Sequence, residues 1–250
     1  MNSPPPPPPL PPLPPEYART RIDLHRVAVH VLAAKRFAAS GRFGLRVTPG
    51  GFGTPLFGDA EHEELLRVSG EALIREHRDA DGPHTTVVPL PGASLAAVAA
   101  AVEADLDPTF TVGKDTPELG DVEAALTVDP VAVAVTAATL AVGARALDRI
   151  LARLGPEATP IVAQVWPEHF DLGLDVGVGG QRVNLGASVG DGYHDAPYVY
   201  VGPWNAERPG DPGYWNVGFG ALLGYDELVA APDPVTATIE FFETGLELLR

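Results

Sequence analysis

The chain has 250 residues, of which 45% are hydrophobic, and this is enough to build a sizeable core in one folded domain. Its formal net charge of −16 argues against general binding to nucleic acid or to anionic membranes. The absence of cysteine excludes disulfides, thiolate metal sites and cysteine nucleophiles. We therefore expect a soluble, cytoplasmic protein, because no secretory signal pattern opens the sequence; its oligomeric state stays open.

A proline-rich segment, MNSPPPPPPLPPLPP, covers residues 1–15. Because proline fixes φ and lacks an amide hydrogen, this segment is predicted to be a disordered arm of polyproline II character. Its P-x-x-P spacings are typical of ligands for SH3- and WW-type grooves, and the alternative is a leader without a binding role. The predicted organisation is this arm followed by a single domain over residues 16–250.

Helices are predicted from capping residues and apolar spacing. Residues 17–39 form the first helix, which ends at Gly41, and Ser94 caps a second, short helix. Asp129 and Asp233 each precede a proline that begins a longer helix. The first helix has an apolar stripe of Leu24, Val27, Ala28, Val31 and Leu32.

Strands are predicted between these helices. Two short strands flank the turn at residues 49–51, further strands follow in LLRVSGEALIREH and HTTVVPL, and residues 160–202 form a β-rich block. The longest uncharged run, residues 130–144, is too short for a membrane span, which needs about 20 apolar residues. The predicted fold class is α+β, with a mainly antiparallel sheet and helices packed on one of its faces.

A β-hairpin is predicted in HFDLGLDVGVGGQRVNLGASVG, residues 169–190. Its residues alternate strictly, and Gly179-Gly180 forms a two-residue turn that places residue 178 opposite 181, 171 opposite 188 and 169 opposite 190. One face is apolar, whereas the other alternates glycine with polar residues and is expected to form a shallow trough. The candidate ligand-binding residues are His169, Asp171, Asp175, Asn184 and Ser188, with Trp166, Tyr193 and His194 near the rim.

Ser188 lies in a G-x-S-x-G pattern, which is typical of the nucleophile elbow of serine hydrolases. The elbow requires a helix directly after the serine, and the Gly, Asp and Pro residues of VGDGYHDAPY disfavour one. A cluster of Ser188 with Asp171 and His169 across the hairpin stays conceivable, because catalytic triads are defined by geometry. We expect Ser188 to be a strand residue of the trough, and no catalytic residue is assigned.

A metal site is a further hypothesis for the same segment. His169, Asp171 and His194 are the residue types of the two-histidine, one-carboxylate site of non-haem iron enzymes. In that pattern the second histidine usually follows several strands later, whereas His194 comes soon after the hairpin. A divalent metal is the one cofactor that the sequence indicates; the alternative is a polar face with hydrogen-bonded side chains.

Two functions remain open at this stage. The first is a small-molecule-binding protein or enzyme that uses the trough, with or without a metal, and with walls from an aromatic-rich segment. The second is a non-catalytic protein-interaction module that uses the proline-rich arm or the exposed sheet face. The aromatic residues in question are Trp166, Tyr198, Tyr200, Trp204, Tyr214 and Trp215, and they are equally able to fill a core.

Several segments resemble, in order, a bacterial family of unknown function: LHRVAVHVLAAKRF, GLRVTPGGFGTPLF, VAQVWPEHFDLGLDV, GDGYHDAPYVYVGPW and FFETGLELL. That family has an early Leu-His helix, a GLTT-like strand, an FFWGSFDLA strand, a YAYP-like strand and a C-terminal helix. The best anchor is Phe-Asp-Leu at residues 170–172, whereas Pro-Glu-His precedes it and no segment matches TRFSG. The resemblance covers residues 20–249 and implies one continuous domain, with no activity to carry over.

Overall fold

The computed structural model describes residues 10–59 and 62–250 and shows an α+β protein with two antiparallel sheets. The predicted fold class is therefore confirmed. The chain forms two compact units, each made of segments that are separated in the sequence. Unit 1 contains the residues up to Pro12, Ala138–Ala163 and Asp171–Arg250, and unit 2 contains Leu13–Ala137 and Gln164–Phe170. Because the units interleave along the chain, no composition change marks a boundary between them.

Unit 2 begins with a long helical segment. Helix α1, Tyr17–Val27, continues through a π-helical turn, Ala28–Ala33, into helix α2, Ala34–Ser40, and ends at Gly41 with φ of +67°. The predicted helix and its buried apolar stripe are confirmed, since Leu24, Val27, Ala28, Val31 and Leu32 are all buried. The π-helical turn was not predicted, because no residue pattern in the sequence indicates where such a turn occurs.

The sheet of unit 2 is built largely from successive antiparallel neighbours. Its strands are β1 Arg46–Thr48, β2 Gly51–Gly53, β3 Phe57–Gly58, β4 Glu63–Ser69, β5 Ala72–Asp79 and β6 Gly82–Pro89. They lie in the order β1-β2-β4-β5-β6, with β3 paired to β4. Helix α3, Leu95–Ala101, packs against β6, and the Ser94 hydroxyl accepts a hydrogen bond of 3.1 Å from the Ala97 amide, as its capping role requires. Strand β7, Gln164–Trp166, also belongs to unit 2 but is not part of this sheet.

The strands of unit 1 follow helix α4, Pro130–Leu154, which Asp129 caps by accepting a 2.8 Å hydrogen bond from the Ala132 amide. A short 3-10 turn, Pro156–Ala158, comes after it. The elements that follow are β8 Asp171–Val178, β9 Gln181–Ser188, β10 Tyr198–Pro203, β11 Ala221–Gly224, α5 Tyr225–Ala230 and α6 Pro234–Leu248. The four strands lie in the order β11-β10-β9-β8, and α6 packs on β10 and β11.

The apolar face of β8 and β9 forms the core of unit 1. Leu172, Leu174, Val183, Leu185 and Ala187 are all buried on it. The second half of α4 lies against this face so closely that a Cβ added at Gly143 would stand 2.4 Å from the Cβ of Ala187. Helix and strand therefore approach each other at a point where neither carries a large side chain.

Replacing Gly143 by alanine is expected to lower the free energy of unfolding by about 1 kcal/mol. Helix propensity alone favours alanine by about 1 kcal/mol, but overpacking a well-packed contact costs about 1–3 kcal/mol. Chemical unfolding of the purified variant measures the balance, and the exposed helix position Ala134, changed to glycine, calibrates propensity without a packing change. A stabilised Gly143→Ala protein would contradict the close contact.

Helix α4 also satisfies a length and composition test for a membrane span, with a mean hydropathy of 1.6 over its most apolar window. However, 56% of that window is buried inside the folded structure. The core helix of a soluble protein has the same properties, because both must present apolar side chains on most of their surface. The soluble character that the composition predicts is consistent with this burial.

The end of the proline-rich segment contacts the folded part of unit 1. Leu10 is buried, and the Tyr225 hydroxyl donates a hydrogen bond of 2.7 Å to the carbonyl of Pro11. Leu10 and Pro11 are therefore ordered, unlike the residues of a disordered arm. Residues 1–9 lie outside the described residues, and the disorder predicted for them stays a prediction.

Candidate functional site

The predicted hairpin register is confirmed. Asp171 pairs with Ser188, Asp175 with Asn184, and Val178 with Gln181 across β8 and β9. The predicted pairing of residue 169 with residue 190 is not formed, because β8 begins at Asp171. Phe170, directly before it, has φ of +52°, a left-handed conformation that interrupts the strand alternation.

Tyr200 covers one end of the predicted trough. It lies on β10 directly opposite Gly186, and its hydroxyl donates a hydrogen bond to the carboxylate of Asp171 on β8. To reach β8, its ring crosses β9 above Gly186, where an added Cβ would stand 2.4 Å from the Tyr200 Cζ. The glycines that were expected to leave this face open instead make room for a tyrosine. Asp171 and Ser188 are therefore part of a filled, buried network.

A second tyrosine–carboxylate pair stands beside the first. The Tyr198 hydroxyl donates a hydrogen bond of 2.6 Å to Asp191. Burial raises the pKa of both Tyr198 and Tyr200 above the ordinary value, and the negative charge of the paired carboxylates raises it further. Both phenols consequently stay protonated at neutral pH, where they act as hydrogen-bond donors and not as bases.

The surroundings of Ser188 are those of a buried structural residue. Its side chain is buried, and its hydroxyl oxygen accepts a hydrogen bond of 3.0 Å from the Gly190 amide. Residues 189–197 form bends and irregular segments and no helix. The strand–turn–helix geometry of a nucleophile elbow is therefore absent at this serine, as the residues after it predict.

Tyr193 and His194 lie in the turn after β9. One oxygen of Asp191 accepts hydrogen bonds from the amides of Tyr193, at 2.8 Å, and His194, at 2.9 Å. The His194 ring lies 2.9 Å from the Ala196 carbonyl through Nδ1, which donates to it. The exposed Tyr193 ring packs edge-on against Phe219 with centroids 5.4 Å apart. Both residues border the filled end of the hairpin face.

The predicted metal set of His169, Asp171 and His194 is not formed. His169 belongs to unit 2, where its Nδ1 lies 3.4 Å from Asp115 and its Nε2 lies 3.8 Å from Glu168. Within the described part of the chain, the groups of three histidine or carboxylate ligand atoms close enough for a metal do not include that set. The contact between Asp115 and His169 was not predicted, because Asp115 lies in an irregular loop and no sequence periodicity predicts which residues such a loop contacts.

Trp166, a further candidate, is the last residue of β7 in unit 2 and is half-buried. The remaining candidates, Asp175 and Asn184, are cross-strand neighbours in unit 1. They lie toward the Gly179-Gly180 turn, on the part of the polar face that Tyr200 does not cover.

An open groove of about 550 Å³ lies at this turn end of the hairpin. Arg182 lies in it and donates hydrogen bonds to the Thr159 carbonyl, at 3.0 Å, and hydroxyl, at 2.8 Å. The other terminal nitrogen of Arg182 contacts the carboxylate of Asp175. A volume between about 300 and 1,000 Å³ is typical of small-molecule sites.

Trp204 provides the aromatic surface of the groove. Its side chain is 64% exposed, and its indole Nε1 donates a hydrogen bond of 3.2 Å to Asn184. The Gln181 side-chain oxygen is buried and has no hydrogen-bond partner among the described residues. Gln181 alternates with Arg182 along β9, so its side chain lies on the opposite face of the hairpin. Besides the three glycines of the turn region, the residues that line the groove are Glu157, Thr159, Val178, Gln181, Arg182, Trp204 and Asn205.

Gln181 and Arg182 were not predicted as site residues, although both belong to the hairpin whose register was predicted correctly. Arg182 lies opposite Gly177 and therefore on the same face as Asp175 and Asn184. Extending the predicted alternation to the turn would have found it. Thr159 has no such signal, because it precedes the hairpin in an irregular segment.

Comparison of the chain with protein-family models, with curated proteins and with solved structures gives no match. The resemblance around residues 170–172 therefore stays a prediction.

Proposed function

We propose that the protein binds a small, neutral, hydroxyl-rich molecule, such as a sugar, in the groove at the Gly179-Gly180 end of the hairpin. The observation that carries the proposal is an exposed tryptophan, Trp204, in a groove of ligand size whose arginine, Arg182, is already paired. The proposal keeps Asp175 and Asn184 of the sequence-predicted trough as positioning residues. It assigns no reaction and requires no metal.

The tryptophan favours a ligand with a flat apolar side. Exposing most of an indole to water forgoes the burial that large aromatic side chains usually gain. The hydrogen bond from its Nε1 to Asn184 holds the ring in one orientation, so that little side-chain entropy is lost when a ligand stacks on it. A sugar ring has such an apolar side, formed by its C–H groups, together with hydroxyls on its edge.

The polar atoms of the groove favour a neutral ligand. The charge of Arg182 is balanced by Asp175, and two of its hydrogen bonds already go to Thr159. Thr159 and Asn205 line the groove and offer uncharged hydrogen-bonding groups to the hydroxyls of a ligand. An anionic ligand would instead meet Glu157, which lines the groove, and a chain of net charge −16.

The cellular location forms a part of the proposal. A chain without cysteine needs no oxidising compartment for its stability, and we place the protein in the cytoplasm on that ground. Fractionation of cells that express the full chain tests this assignment, with recovery in the cytosolic fraction as the expected result.

Titration with neutral sugars tests the binding function. The probes are glucose, galactose, maltose and ribose, with glucuronate as a charged analogue, and the readouts are tryptophan fluorescence and protein NMR shifts. At least one neutral sugar is expected to bind and to shift resonances of residues 177–182, while glucuronate binds at least tenfold more weakly. Trp204→Ala is expected to weaken binding at least tenfold, which equals about 1.4 kcal/mol.

Trp215→Phe is the matched control, because Trp215 is another tryptophan of unit 1 whose Nε1 donates to the Pro209 carbonyl, outside the groove. This variant is expected to bind the same sugar with unchanged affinity. The proposal fails if no neutral sugar binds at 10 mM, a probe concentration chosen to detect weak binding, or if Trp204→Ala and Trp215→Phe behave alike.

A further inference from the structure

We infer that unit 2 carries a binding site for a divalent transition metal, Zn²⁺ in the first place, on the β5–β6 hairpin. Its ligands are His77 and Asp79 of β5 and His84 of β6. His77 and His84 are directly opposite each other across the two strands, with ring centroids 4.9 Å apart. Asp79 follows His77 by two residues and so lies on the same face of the strand.

The distances between the ligand atoms fit one small cation. Nε2 of His84 lies 3.0 Å, and Nε2 of His77 lies 3.9 Å, from the carboxylate oxygens of Asp79. One ligand atom from each of the three residues falls within 4.8 Å of the others. Zn–N and Zn–O bonds of about 2.0–2.2 Å place the ligand atoms of a tetrahedral site about 3.3 Å apart, a spacing that the three side chains reach with small rotations.

The surroundings hold these side chains in place. The Asp79 carboxylate accepts a hydrogen bond of 2.9 Å from the Asp81 amide, which orients it within the hairpin turn. His77 lies on a strand that is paired on both sides, opposite Glu64 of β4 and His84 of β6. Its Nδ1 is buried and has no hydrogen-bond partner in the described part of the chain. Hydrogen bonding at Nδ1 thus does not explain the position of this half-buried ring.

The charges nearby permit a cation. Arg75 lies two residues before His77 on the same face, but its guanidinium pairs with Glu64 at 2.6 Å and Glu103 at 2.9 Å. Two imidazole nitrogens and one carboxylate oxygen select Zn²⁺, Cu²⁺ or Ni²⁺ over Mg²⁺ and Ca²⁺, which prefer oxygen ligands. With three protein ligands, the fourth position is left to water. The other three-residue group, Asp115 with Glu168 and His169, offers only one imidazole.

Isothermal titration of tag-free, metal-stripped, full-length protein with Zn²⁺ tests the site. One Zn²⁺ per chain is expected to bind with a dissociation constant in the micromolar range or below. His84→Ala and Asp79→Asn are each expected to weaken this binding at least tenfold. The His84 side chain is 43% exposed, so its removal leaves the fold intact, and Asp79→Asn keeps the size of the side chain. With Cu²⁺ as a second probe, electron paramagnetic resonance should show two nitrogen ligands.

Two matched controls identify the location. His62→Ala removes an exposed histidine next to Asp59, and His169→Ala removes the imidazole of the other group. Neither change is expected to alter the affinity for Zn²⁺. Three results would overturn the inference: no binding by the wild-type chain, unchanged binding by both His84→Ala and Asp79→Asn, or loss of the site in His169→Ala alone.

Discussion

Lowering the pH from 7 to 4 is expected to lower the free energy of unfolding by about 3 kcal/mol through His25 alone. In unit 2 the Nε2 of His25 donates a hydrogen bond of 2.7 Å to the Pro167 carbonyl, and its ring stacks on Phe170 at 5.2 Å. The pKa of His25 is lowered from 6.5 to about 4, chiefly because the charged ring loses its hydration on burial; the hydrogen bond to Pro167 opposes this shift, and the charges of Arg21 and His30 add to it.

The direction of the effect follows from proton binding by the two states. Above pH 6.5 His25 is neutral in both the folded and the unfolded chain, so this residue does not reduce the free energy of unfolding there. Between pH 6.5 and about 4 the unfolded chain binds the proton and the folded chain does not, so stability falls as the pH falls. Below pH 4 both states are protonated at this residue, and its contribution no longer changes.

Urea unfolding at several pH values between 7.5 and 4 measures this loss. His25→Gln is the control, because glutamine retains a donor for the Pro167 carbonyl and does not titrate. Its stability is expected to fall by about 3 kcal/mol less than that of the wild type over this range. Burial also lowers the pKa of His30, so the variant keeps part of the acid sensitivity. Equal pH dependences of the two proteins would show that His25 is not held neutral.

The second large effect is expected for Gly186→Val, which should lower the free energy of unfolding by about 3–5 kcal/mol. The new Cβ would stand 2.4 Å from Cζ of Tyr200, so the ring must move away from β9. Overpacking of this kind costs about 1–3 kcal/mol, and loss of the hydrogen bond from Tyr200 to the Asp171 carboxylate adds about 1.5–3 kcal/mol.

Gly202→Ala on the neighbouring strand β10 is the control for this change. A Cβ added at Gly202 meets no atom closer than 3.9 Å, so alanine fits there without a shift. Equilibrium unfolding in urea is expected to show a stability within about 0.5 kcal/mol of the wild type for Gly202→Ala. If Gly186→Val were as stable as Gly202→Ala, Tyr200 would not cross β9 as described.

Much of the local structure could be predicted because short-range rules decide it. Ser94, Asp129 and Asp233 accept hydrogen bonds from helix amides as their positions predict. The two-residue Gly179-Gly180 turn determines the register of β8 and β9, since each later pair follows from the first. These interactions join residues that are close in the sequence, so the sequence pattern contains the information they need.

The candidate site could be predicted only in part. The polar face of the hairpin was identified correctly, but its open end was not, because Tyr200 comes from β10 and reaches across β9. The proposed metal ligands His77, Asp79 and His84 follow an H-x-D-x4-H spacing, which becomes a cluster only when β5 and β6 pair in this register. His169 was predicted to lie on the hairpin strand, but β8 begins only at Asp171, after the left-handed conformation of Phe170.

The α+β class, the capped starts of three helices and the two faces of the hairpin follow from the sequence alone, because alternation and capping are local properties of the backbone. The tertiary structure was needed to show that Tyr200 fills one end of the polar face, while Trp204 and Arg182 border a groove at the other. It also decided the division into two units whose segments interleave along the chain. Long-range pairing causes all three outcomes, since it depends on which elements bury each other's apolar faces, and no local pattern contains that choice.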